Sequence, residues 1–147
     1  MIRREEIINI ISSKKEFTNF TGGVDDINIM QIENSLNVTL SESYKWFIKN
    51  YGYILTMGIE IYGVSKGKIP SCIKATEKYR KIGLPEKLVV IESSGEFVYC
   101  LDTGHMKDGD CSIVLWNRIE GIEEKYENFY HFFYDRLQDA LDNWDEF

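Results

Sequence analysis

Ile7, Ile8 and Ile11 recur at helical spacing and predict a helix over Arg4 to Lys15. The run Phe17 to Gly23, which ends Thr-Gly-Gly, breaks it. Asp25 or Asp26 offers an N-cap for a second helix, whose apolar positions Ile29, Ile32 and Leu36 step by three and four before Asn37 closes it. Ser41 can cap a third, with Glu42 in the first turn, Tyr44, Phe47, Ile48 and Tyr51 as its inner stripe, and Gly52 as terminator. Tyr53–Leu55 and Ile59–Tyr62 read as short strands, and Pro70 begins a helix through Lys81 that Gly83 and Pro85 end. Three strand-like runs follow at Leu88–Glu92, Phe97–Leu101 and Ser112–Asn117, the first two joined by the turn Ser93-Ser94-Gly95-Glu96. Ile119–Tyr126 is either a further strand or an irregular connection. Asn128 caps a long closing helix to about Trp144, with Phe129, Phe133, Leu137, Leu141 and Trp144 along one face.

Helices first, then consecutive strands, then a closing helix predict an α+β fold: a mostly antiparallel sheet flanked by helices. The chain has 147 residues, of which 44% are hydrophobic, 14% aromatic and only two proline. That length fits one domain over residues 1–147 with a sizeable core, and the composition excludes global disorder.

Net charge is −7, and it is unevenly placed. Met1 to Val90 holds 13 Lys/Arg and 10 Asp/Glu, whereas Ile91 to Phe147 holds 4 and 14. The second part repels phosphate backbones and anionic bilayers, so no direct nucleic-acid or membrane partner is expected. A cationic protein is its natural complement, although acidity alone also serves solubility. No run approaches the ~20 apolar residues of a membrane span. Glutamates stand at positions 5 and 6, where a secretion signal needs its apolar core, so a cytoplasmic location is expected.

Candidate chemistry is sparse. Cys72, Cys100 and Cys111 match no zinc spacing and read as buried small hydrophobes in a reducing compartment. Gly22-Gly23 lacks the Lys-Ser/Thr of a phosphate loop. The loop Asp102 to Asp110 gathers three carboxylates and His105, but Gly104 and Met106 occupy positions where a calcium loop needs oxygen ligands. A nucleophilic Cys100–His105 pair needs an exposed thiol, and a strand cysteine points inward more often than not. Asp-Gly turn geometry is the simpler reading of the loop. No catalytic residue, metal or cofactor is assigned, and the chain is not read as an enzyme. Tyr126, Tyr130 and Tyr134 at spacing four form an aromatic strip beside the core face, and interfaces are enriched in Tyr.

The stretch Ile29 to Gly52 resembles the opening of the SUKH superfamily, in which a helix bearing a Glu leads to Leu-Pro, an aromatic-rich helix and a glycine turn. The residues that carry the pattern are Glu33, Leu40, Tyr44, Trp46, Phe47, Asn50 and Gly52. Ile61-Tyr62-Gly63, Tyr99 to Asp102, Asp108-Gly109-Asp110 before Ile113-Val114, and Phe129 to Leu141 are similar to its later parts. The likeness covers about residues 25 to 142. Ser41 stands where the family has Pro, and Tyr51-Gly52-Tyr53 replaces its Gly-Gly turn; Ser41 remains a good helix start.

The resemblance implies an immunity protein similar to the YobK-like antitoxins. Such a protein neutralises a toxin encoded beside it, here the C-terminal nuclease domain, an RNase, of an LXG-type toxin. It also implies that Glu33 is a structural acid holding the loop that follows it. A regulatory protein-binding scaffold, as in eukaryotic cell-wall signalling relatives, is the alternative. The contact surface expected for a toxin combines Asp102, Asp108, Asp110, Glu120, Glu123 and Glu124 with Tyr126 and Tyr130.

Overall fold

The computed structural model describes residues 4–144, so Met1 to Arg3 of the opening segment lie outside the described residues. Its helices are α1 (Arg4–Ser13), α2 (Asp26–Leu36), α3 (Glu42–Asn50), α4 (Ser71–Arg80) and α5 (Phe129–Trp144). The strands are β1 (Thr18–Phe20), β2 (Ile54–Thr56), β3 (Ile59–Ile61), β4 (Leu88–Ser94), β5 (Phe97–Asp102), β6 (Ile113–Asn117) and β7 (Gly121–Tyr126). They form an antiparallel sheet β1-β2-β3 and a second, β4-β5-β6-β7. The two meet where the Tyr62 amide donates to the Ile91 carbonyl at 2.8 Å. The architecture is α+β, as the order of elements predicts.

Local chemistry sets the helix ends. Asp25 accepts from the Ile27 amide, Ser41 from the Tyr44 amide and Asn128 from the His131 amide, at 3.2, 3.4 and 3.1 Å. Each cap satisfies a donor that has no partner inside its helix. Asn37 turns into the left-handed region at φ 56° and stops α2. The helix predicted through Lys15 ends at Ser13, and the segment read only as a breaker contains β1, which pairs with β2. Thr18-Asn19-Phe20 holds an Asn, which strands disfavour, and runs into Gly22-Gly23, so only the partner strand makes β1 visible. Ile119 and Glu120 belong to the turn before β7, with both amides bonded to the Asn117 side chain.

One large core joins α1, α2, α3 and α5 to one face of the β4–β7 sheet, with Tyr44, Phe47, Phe129, Phe132 and Phe133 fully buried at its centre. A smaller cluster under α4 contains Leu88, Val90, Val98, Cys100, Val114 and Trp116. The sheet is thus covered on both sides, which is why Leu88–Glu92 is buried at every position instead of alternating.

The closing helix differs from its predicted stripe. Phe129, Phe132, Phe133, Leu137 and Ala140 are buried, while Leu141 and Trp144 pack only at the margin. A helix repeats every 3.6 residues, so a stripe drawn at steps of four drifts off the contact face.

Candidate partner-binding site

The Asp102–Asp110 loop is shaped by its turn and by the start of α3. Asp108 and Gly109 both have positive φ, at 54° and 82°, and Lys107 and Asp110 exchange backbone hydrogen bonds of 2.7 and 3.0 Å across them. This is the hairpin geometry that Asp-Gly favours. The Glu42 amide donates to Gly109 O at 2.9 Å, and the buried Ser43 hydroxyl donates to Asp110 Oδ1 at 2.7 Å. The same oxygen accepts the Cys111 amide at 3.1 Å. Asp110 therefore sits at the positive N-terminal end of α3 and ties the loop to it.

Between this loop and the β7–α5 junction lies an open cleft of about 900 Å³. Its walls carry Asp102, Asp108, Asp110, Glu124 and Glu127, against Lys107, Lys125 and His105. Asp102 holds His105 through a 3.0 Å contact to Nδ1, and Glu127 lies 3.4 Å from His131 Nε2. The lining holds five carboxylates against two lysines and a histidine, a balance that attracts cationic groups.

The expected contact residues do not all meet here. Asp102, Asp108, Asp110, Glu124 and Tyr126 line the cleft. Glu120 lies at the opposite end of β7, because the register sets Asn117 against Gly121 there and Ile113 against Tyr126 at the cleft end. Glu123 faces away from Glu124 and pairs with Lys125 at 3.3 Å. Tyr126, Tyr130 and Tyr134 form no single exposed strip. Tyr126 belongs to β7, packs on Tyr99 and Phe132, and donates its hydroxyl to Asp135 at 2.5 Å. Burial and that hydrogen bond raise its pKa well above the ordinary tyrosine value. Tyr130 rests against Trp46 with ring centroids 5.6 Å apart, and burial raises its pKa too. Spacing of four implies a shared face only within one helix, and the strand-to-helix junction at Glu127-Asn128 interrupts it. Ser43 gave no sequence signal as the loop's anchor, since its partner is 67 residues away.

The residues Glu33 to Gly52 form one structural unit. Glu33 Oε2 accepts the Leu40 amide at 2.8 Å, spanning the turn between α2 and α3. Tyr44 donates to the Tyr62 carbonyl at 2.6 Å, and Asn50 donates to the Trp46 carbonyl at 2.7 Å. Gly52, at φ 74°, lies so close to the following strand region that a Cβ on Gly63 would meet Gly52 O at 1.9 Å. A SUKH family model described as SMI1-KNR4 cell-wall matches residues 4–138, nearly the whole described chain.

The chain belongs to the SUKH family.

The SUKH match begins at α1, ahead of the segment where the motif resemblance starts, and ends inside α5. A crystal structure of a protein from Pseudomonas syringae pv. tomato shares the fold, with a TM-score of 0.66 at 18% identity, covering 85% of this chain and 93% of that one. Identity at that level speaks for the fold alone.

The SUKH fold also disposes of the thiol chemistry. Cys72, Cys100 and Cys111 are buried, and burial raises every one of their pKa values, to about 12 for Cys72 and about 11 for Cys111. Cys100 Sγ points at the Val98 carbonyl inside the α4 cluster, while His105 is engaged by Asp102, so the two form no nucleophile–base contact. Among the described residues no three His, Cys, Asp or Glu side chains are grouped to hold a metal ion. No described helix is long and apolar enough to cross a membrane.

Proposed function

We propose that this chain is an immunity protein that binds a cognate toxin stoichiometrically and blocks it in the cytoplasm of the producing bacterium. SUKH proteins are known as immunity proteins, and membership is the ground for the general reading. The observation that carries the location is the cleft, where five carboxylates from the Asp102–Asp110 loop and the β7–α5 junction converge. A nuclease must present cationic side chains to phosphate, and those same side chains are what an acidic cleft attracts. The likeness to YobK-like antitoxins supports the C-terminal RNase domain of an LXG-type protein as that toxin. Charge would set the association rate, and half-buried aromatics such as Tyr126 and Tyr130 would supply slower dissociation.

The test is co-expression with the toxic domain encoded by the adjacent gene, followed by pull-down and titration. Rescue accompanied by a stable complex is expected; rescue without a complex would overturn binding as the mechanism. Asp108→Lys combined with Glu124→Lys and Glu127→Lys leaves the Asp110 anchor intact. It should weaken binding at least tenfold and flatten its salt dependence. Unchanged affinity and salt dependence would move the site elsewhere.

A further inference from the structure

β7 is the open edge of its sheet. It pairs with β6 alone among the described residues, whereas the opposite edge strand β4 is joined to β3 through the bond from Tyr62 to Ile91. Six residues are enough for an ordinary strand pairing. Ile122 to Lys125 are exposed, Ile122 at 54%, and Ile119 in the preceding turn is 90% exposed. An edge strand carries a row of main-chain donors and acceptors ready for another strand.

The geometry points to strand addition: an extended segment of a partner protein, carrying two adjacent Lys or Arg flanked by apolar residues, completes the sheet along β7. The register supports that pattern. Ile122 lies opposite Trp116 and Glu124 opposite Val114 on one face, while Glu123 lies opposite Leu115 and reaches Lys125 on the other. An incoming strand therefore finds a carboxylate on each face and an exposed isoleucine on the face of Glu124. A second copy of this chain is disfavoured, because full antiparallel overlap of two β7 strands sets Glu123 against Glu124, and like charges directly opposite destabilise a pair. The C-terminal end of β7 forms a wall of the acidic cleft, so a strand laid on this edge runs into it. The inference rests on the immunity reading only for the partner's identity; main-chain hydrogen bonds would give affinity and the two adjacent cations selectivity.

The probe is the blocked peptide acetyl-Val-Thr-Lys-Lys-Val-Thr-amide, whose antiparallel overlap with β7 sets its lysines against Glu124 and Glu123 and its second valine against Ile122, with two derivatives N-methylated at alternate residues in either phase. Amide hydrogen exchange of the full chain is followed with each. The parent peptide should slow exchange in β7 at least tenfold, and one N-methylated phase should bind at least tenfold more weakly at equal charge. Glu123→Lys with Glu124→Lys, confirmed as folded by circular dichroism, should abolish the protection. Equal binding of all three peptides, protection elsewhere, no binding, or self-association through β7 would each overturn strand addition. Run with the toxic domain in place of the peptide, the same exchange measurement separates the two proposals. Neutralisation without β7 protection sinks strand addition alone, and peptide binding without neutralisation sinks immunity alone.

Discussion

Arg136 of α5 grips Glu92 of β4 with two hydrogen bonds, Nε to Oε1 at 2.7 Å and Nη2 to Oε2 at 3.0 Å. A β-bulge makes this pair. The register passes from Val90 opposite Cys100 to Glu92 opposite Tyr99, leaving Ile91 as the extra residue. Glu92 is thereby moved to the α5 face beside Tyr99, whose ring lies 5.9 Å from the Arg136 guanidinium. Without the bulge, strict alternation would aim this carboxylate into the apolar cluster under α4. Glu92 is 4% exposed, so removing its partner strands a buried charge. Arg136→Ala should lower unfolding free energy by about 3–5 kcal/mol in urea denaturation. The double variant Arg136→Met, Glu92→Leu should recover most of that loss. Additive losses in the double-mutant cycle would show that the two side chains are not coupled.

Glu33 closes the turn between α2 and α3 through its 2.8 Å bond to the Leu40 amide. Glu33→Ala should cost about 1.5–3 kcal/mol, the usual worth of a hydrogen bond to a charged group. Glu33→Gln should cost less, because an amide oxygen can still accept. Equal stability of the wild type and Glu33→Ala in thermal melts would show that the turn holds itself.

Gly63 is required by space. A Cβ there would meet Gly52 O at 1.9 Å, which is backbone that cannot swing aside. Gly63→Ala should therefore leave little soluble folded protein. Gly58 has φ +82° but open space around a Cβ, so Gly58→Ala should cost only about 1–2 kcal/mol of left-handed strain. Circular dichroism melts of the pair separate crowding from conformational strain.

The cysteines define an alkaline limit. Cys72 and Cys111 ordinarily titrate near 9, and in the folded chain near 12 and 11. The native state thus favours the thiol. The stability tied to these groups is complete below about pH 9 and is lost as pH rises through about 11 to 12. Urea midpoints should be flat with respect to these groups through neutral pH and fall above pH 9. A thiol reagent at pH 7 should label the three cysteines only as fast as the chain opens, and at once in urea. Rapid labelling of Cys100 in the native protein would contradict its burial.

Most of the helices were legible because their signals are local. Asp25, Ser41 and Asn128 cap within three residues of themselves, and Asn37 and Gly52 stop helices by their own backbone angles. The strands Leu88–Ser94, Phe97–Asp102 and Ile113–Asn117 announced themselves by apolar runs between turns. β1 did not, since Thr18-Asn19-Phe20 runs into a glycine pair and its partners stand 34 to 38 positions away.

Fold class, the acidic second half and the turn at Asp108-Gly109 therefore follow from residue types and short spacings alone. Which carboxylates stand together does not. Strand register sends Glu120 and Glu124 to opposite ends of β7, a single bulged residue turns Glu92 toward Arg136, and Ser43 reaches across the fold to hold Asp110. Charge counts add along a chain, but a field depends on distance, and distances between remote segments exist only once the core has packed.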